Sequence, residues 1–189
     1  YTDAETSSNI QVLHIDEETL LESSRVLEAI RFGPVNVSTI VAKFKKVKFE
    51  SQESIGYGPV DVPPLQIQTE AMWYTFKDEA KTQIGNSQQD FTAALQGVAN
   101  LLRHVIPLFV LCDARDIGVY AMARSPFDKR PTIYIWDRYA GGIGIAKKLY
   151  SIINEVLTAA SRVVAECPCR GGCPSCIGPQ LDHSTHNKE

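Results

Sequence analysis

Much of what would assign this sequence at a glance is missing from it. No apolar run approaches the length of a membrane span, and the opening Tyr1-Thr-Asp-Ala-Glu has neither the basic nor the apolar segment of a secretory signal. Positive charge is not in surplus: 19 lysines and arginines against 22 acidic residues leave a formal net charge of −3. Any contact with nucleic acid must therefore rest on local patches rather than on the whole-molecule field. There is no G-x-x-x-x-G-K-[ST] phosphate loop, no Asp-Glu-x-His and no G-x-G-x-x-G fingerprint, so these residues hold no familiar machinery for ATP hydrolysis or dinucleotide binding. His104 has no second histidine or acid at ligand spacing, and no nucleophile–base pair stands out. Repeats and low-complexity tracts are absent. What remains is ordinary globular composition, 44% hydrophobic and 22% charged over 189 residues, enough for one large domain or two small ones. A first residue that is not Met, with no leader, is read as a cytoplasmic fragment of something longer.

Cysteine is scarce as well, but it is unevenly spread. Four of the five cysteines fall within Cys167-Pro-Cys-Arg-Gly-Gly-Cys-Pro-Ser-Cys176. The spacing C-x-C-x3-C-x2-C makes two local chelating pairs, Cys167/Cys169 and Cys173/Cys176, with Arg170-Gly171-Gly172 reversing the chain between them. Glycine supplies the backbone freedom for that reversal, while Pro168 and Pro174 limit what the loop must lose on binding a metal. A closed all-sulfur set points to one structural zinc ion with no coordination position left for a substrate. An iron–sulfur or redox-sensing module using the same cysteines is the alternative. Disulfides fit poorly, because Cys167 and Cys169 are too close to pair comfortably. Cys112, in the apolar run Leu108-Phe-Val-Leu-Cys, reads as a small buried hydrophobe.

The pattern predicts an α+β fold: a small antiparallel β-rich unit over residues 1–76, then a mixed helix and strand domain over 77–189 that ends in the four-cysteine knuckle. Strands are expected at Asn9–Ile15, at Val35–Phe49 behind Gly33-Pro34, and at Gln66–Phe76. Glu17–Arg31 fits either a helix or a strand. A bulge near Lys45-Lys46 would turn Lys43, Lys45, Lys46 and Lys48 outward, as an edge-protecting face or as a phosphate-contacting one. Phe91, Ala94, Leu95, Val98, Leu101, Leu102 and Val105 share one face of a helix that Pro107 should stop. A further strand runs to Asp137. After it come Tyr139-Ala-Gly-Gly-Ile-Gly144 and one helix with Ile145, Leu149, Ile152, Ile153, Val156 and Ala160 inward. A strand, a glycine-rich loop and a helix N-terminus have the ingredients of an anion site, although close packing is the favoured use of these glycines. Asp113 and Asp116 are the best-placed carboxylate pair, and a turn or an arginine ion pair is their favoured role.

The order Ile133-Tyr-Ile-Trp-Asp137, Ala140-Gly-Gly-Ile-Gly144, a helix, and then C-x-C-x3-C-x2-C resembles the C-terminal zinc-binding domain of the MrfA (YprA-like) family of DNA-repair helicases. Leu111-Cys-Asp-Ala-Arg-Asp-Ile-Gly118, Val62-Pro-Pro-Leu and Thr69-Glu-Ala-Met-Trp73 extend the resemblance over roughly residues 35–180. It implies a parent that is an ATP-driven 3′-to-5′ translocase on single-stranded DNA, active in DNA repair, with this region helping to hold or guide the strand beside the parent's motor domains. It also implies that Cys167, Cys169, Cys173 and Cys176 are the zinc ligands. Candidate strand contacts are Lys147, Lys148 and Arg170, then Lys43, Lys45, Lys46 and Lys48, with Tyr139 or Tyr57 as base-stacking rings. The motor motifs themselves lie outside these residues.

Overall fold

A computed structural model of the chain describes residues 4–47, 54–59, 62–84, 87–174 and 176–178. Its centre is one antiparallel sheet built on two long strands, β3 (Leu27–Val47) and β5 (Leu65–Phe76), paired from Leu27↔Phe76 to Thr39↔Leu65 with one register shift between Leu27 and Ala29. β1 (Ala4–Val12) and β2 (Glu17–Leu20) both pair with β3, while β4 (Ser54–Pro59) pairs with its far end. β7 (Thr132–Asp137) adds to the other side of β5, and β6 (Ile117–Met122) closes the order β1-β3-β5-β7-β6. The expected change of character at residue 76 coincides with the end of β5, yet the sheet runs across it through the β5–β7 pairing.

Both faces of this sheet are apolar where β3 and β5 cross its middle. Ile30, Phe32, Met72, Tyr74 and Phe76 point to one face, and Val35, Val37, Ala71 and Trp73 point to the other, as the two-residue period of a strand requires. The first face is covered by α2 (Gln88–Val110), α3 (Ile145–Ser151) and α4 (Ile153–Glu166), with the short α1 (Ala80–Ile84) leading into α2. On the second face Tyr134 and Trp136 pack with Trp73, and Gly118 is the residue that lets the Trp136 ring lie flat against β6, since an added Cβ would overlap it.

The ambiguous stretch Glu17–Arg31 resolves as β2 and the start of β3. Gly33-Pro34 does not bound the strand but lies within it. Leu13 N–H donates to Pro34 O at 3.0 Å, so Pro34 faces the gap where the chain passes from β1 to β2, and its missing N–H leaves no partner unsatisfied there. The β3–β4 register shifts between Lys46 and Val47, next to the expected bulge.

Pro107 fails to stop α2, which continues to Val110 before Leu111 ends it in a left-handed conformation at φ 51°. A proline this late costs one hydrogen bond of the final turn, and buried Ile106 with core-packed Phe109 and Val110 holds that turn in place. α2 is also long and apolar enough to cross a membrane by length and composition, contrary to the expectation from apolar runs, but its apolar stripe, including Phe91, Leu95, Leu102 and Ile106, belongs to the core. The helix expected after Gly144 is two helices, broken at Ile152.

Candidate metal centre

α4 ends at Glu166 and delivers the chain directly into the cysteines. The Sγ atoms lie 3.4 Å apart in Cys167–Cys169, 3.7 Å in Cys167–Cys173, 3.6 Å in Cys169–Cys176 and 3.7 Å in Cys173–Cys176, and all four fit within 4.8 Å of one another. Four sulfurs at a zinc–thiolate bond length sit about 3.8 Å apart on the edges of a tetrahedron, so this donor set matches a single ion. A multi-iron cluster would spread the same sulfurs over two or more metal atoms. None of the cysteines forms a disulfide. A zinc ion held by all four sulfurs would have no open coordination position left for a substrate.

Local backbone geometry supports the cage. Cys176 and Ile177 N–H both donate to Cys173 O at 3.1 Å, a tight turn that brings the second chelating pair together, and Cys173 N–H donates to Cys176 Sγ at 3.3 Å. Gly172, at φ 97°, provides the reversal between the pairs.

The knuckle is also fastened to the core. Cys176 and Ile177 are 2% and 4% exposed. Asn100 on α2 donates from Nδ2 to Ile177 O at 3.3 Å, and Gln96 donates to Asn100 Oδ1 one turn earlier at 3.2 Å. Gly178 then passes so close to Asn100 that an added Cβ would lie 2.6 Å from its Nδ2, at a φ of 84° that side chains avoid. Gly178→Ala should therefore cost about 1–2 kcal/mol in chemical denaturation while zinc content stays at one ion per chain. Loss of the zinc with the same change would show that docking and metal binding are one event.

The glycine-rich loop is no open anion site, because the chain has already placed an anion in it. Asp137, fully buried at the end of β7, accepts from Ile143 N–H at 2.7 Å and Ile145 N–H at 3.2 Å through one oxygen, and from Ala146 N–H at 2.8 Å through the other. Gly142, at φ 75°, rests against Glu70 of β5, and Gly141 N–H donates to Gln68 O at 2.8 Å. Close packing, the use favoured from sequence, holds for Gly142 alone: a Cβ at Gly141 or Gly144 would meet open space, and what those two supply is the left-handed backbone, at φ 82° and 86°.

Comparison with known proteins fits this geometry. The family described as the MrfA Zn-binding domain matches residues 98–177, from within α2 to the knuckle. YprA of Bacillus subtilis, named as an uncharacterized ATP-dependent helicase, is 35% identical over 182 residues, which is 96% of this chain and 23% of YprA. The crystal structure of the DUF1998 helicase MrfA bound to DNA superposes with a TM-score of 0.74 at 32% identity, covering 100% of this chain and 24% of MrfA. The chain carries the zinc-binding domain found in MrfA/YprA-like helicases. The ATP-dependent helicase HRQ1 of Saccharomyces cerevisiae is a more distant relative, 25% identical over 158 residues, 78% of this chain and 15% of HRQ1. This zinc-binding region thus spans less than a quarter of the length of these relatives.

Within the MrfA-like region the other candidate residues scatter. Lys147 and Lys148 are exposed on α3 and Arg170 is exposed between the ligand pairs, so they lie toward opposite ends of the α3–α4 segment. Lys43, Lys45 and Lys46 lie on β3 opposite Pro59, Tyr57 and Gly56 of β4, and Lys48 lies outside the described residues. His104 is exposed. Cys112 packs against the core, and burial, followed by the Asp116 charge, pushes its thiol pKa up. Asp113 and Asp116 form a turn: Asp113 N–H donates to Asp116 Oδ2 at 2.9 Å, and Arg115 lies 3.5 Å from Asp113. Tyr139 is 47% exposed but its hydroxyl donates to Asp116 Oδ1 at 2.7 Å, which holds the Asp116 carboxyl below its usual range. Sequence reasoning missed Asn100 and Gly178, whose role depends on a contact 77 residues apart in the chain.

Proposed function

We propose that this chain is the zinc-stabilised accessory region of an ATP-driven DNA-repair helicase, and that it holds a DNA single strand beside the parent's motor domains. The observation that carries this reading is the closed four-sulfur cage docked on α2, in a chain whose full length superposes on a helicase crystallised with DNA. A cage with no open position does not perform chemistry, so the role left to it is to fix a surface in place. The iron–sulfur alternative gains nothing from sulfurs that surround one centre.

The test joins elemental analysis of the purified chain to a titration of labelled single-stranded DNA at several salt concentrations. One zinc per chain with salt-sensitive binding is the expected result. Zinc without binding at low salt would confine the region to a structural role and defeat the strand-holding half of the proposal. Iron with acid-labile sulfide would defeat the metal assignment.

A further inference from the structure

The loop between β6 and β7 has a composition that the lysines on α3 and β3 lack. It reads Arg124-Ser-Pro-Phe-Asp-Lys-Arg130, four residues of it charged around one aromatic ring. The loop is tightly built: Ser125 N–H donates to Arg130 O at 2.8 Å, Lys129 N–H to Ser125 O at 3.0 Å, and buried Ser125 shares a 2.8 Å hydrogen bond with Tyr134 OH. Asp128, its one acid, is already committed. It accepts from Thr75 at 3.1 Å and from Arg31 at 3.4 Å, facing inward.

That anchoring leaves Phe127 44% exposed, with its ring edge-on to fully buried Trp73 at a centroid distance of 6.4 Å. Arg124 and Lys129 are exposed beside it. Lys129 adopts φ 63°, one of only two positive-φ residues other than glycine among those described, and strain of this kind collects at working surfaces. The end of the loop also forms a wall of a cavity of about 530 Å³ lined by Arg25, Glu28, Lys77, Glu79 and Arg130. Glu28 is paired with Arg130, and Lys77 is held by Ser24 O at 2.6 Å. Arg25 and Arg124 are exposed cations, and Lys129, exposed as well, spends one of its three ammonium donors on Pro126 O of its own loop at 3.0 Å, with Glu79 the opposing acid.

We infer that this loop and the cavity behind it form a binding site for single-stranded nucleic acid, in which Phe127 stacks on a base while Arg124, Lys129 and Arg25 contact the flanking phosphates. An exposed ring on a rigid aromatic support gives a face that any base can use, and cations on either side track the backbone. The inference rests on the strand-holding reading above and gives that strand an address on the molecule.

The test uses the zinc-loaded chain and a fluorescein-labelled oligothymidylate, with binding followed by anisotropy from 50 to about 200 mM salt. Phe127→Ala is expected to weaken binding about 5-fold or more. Because Phe127 also packs on Trp73, the second variant is Lys129→Gly, which relieves a left-handed backbone and removes one charge. It should leave zinc content intact and not lower the melting temperature, while the slope of log K against log salt becomes shallower by about 0.7. If the unaltered chain binds, both loop variants match it, and Lys147→Ala/Lys148→Ala alone weakens binding, this site is wrong and the strand-holding reading stands. Failure of the unaltered chain to bind at 50 mM salt would overturn both. Equal affinity for duplex and single strand would overturn the stacking role.

Discussion

Cys173→Ala is expected to empty the metal centre and unfasten the end of α4. Cys173 contributes a sulfur 3.7 Å from those of Cys167 and Cys176, and its carbonyl accepts the two N–H bonds that close the turn. With three ligands the site loses its closed tetrahedron, and thiolate–zinc binding energy is folding energy in a segment this short. The anchor at Ile177 and Gly178 would then have to find its place on α2 unaided. Zinc should fall from one ion per chain to a small fraction, and stability should drop by about 4 kcal/mol or more, the range associated with loss of a structural metal. Chelation of the unaltered chain should reproduce the same shift. A variant that keeps full zinc and melts unchanged would remove Cys173 from the ligand set.

The second large effect is expected at Asp137. Its carboxylate is buried and satisfies the backbone N–H of Ile143 in the loop and those of Ile145 and Ala146 that begin α3, so it fixes the direction in which the helices leave β7. Asp137→Asn preserves size but replaces one acceptor oxygen with a donor aimed at other donors, and it removes the charge that made those bonds strong. Chemical denaturation should show a loss of about 3–5 kcal/mol, with zinc still bound because the bonds Asp137 accepts all come from the β7–α3 junction and none from a cysteine ligand. A loss under 1 kcal/mol would mean that the carboxylate merely occupies the turn.

The parts legible in the sequence were those with local causes. Four ligands within ten residues declare themselves because chelation requires them to be close in the chain. The apolar stripe of α2 is legible for the same reason, one turn predicting the next. Pro107 misled because local rules assign it a helix stop, whereas Ile106 and Phe109 pay for the lost bond through burial. Pro34 misled in the opposite direction: its place inside a strand depends on β1 and β2 parting at that point, which no neighbouring residue encodes. Glu17–Arg31 stayed ambiguous because its apolar residues fit either period until β5 pairs with its second half. The contact of Asn100 with Ile177 and the support of Phe127 by Trp73 are tertiary facts, invisible to any window of sequence. The broader α+β class survived these errors, since each of them moved an element's boundary without changing what the core contains.

The central claim is that one zinc ion, held by four thiolates and nothing else, fixes this region onto its core. X-ray absorption at the zinc edge of the purified chain tests it most directly. The expected spectrum shows a single shell of four sulfur neighbours at about 2.3 Å, with one zinc per chain. Nitrogen or oxygen in that shell, or iron with a second metal as its near neighbour, would contradict it.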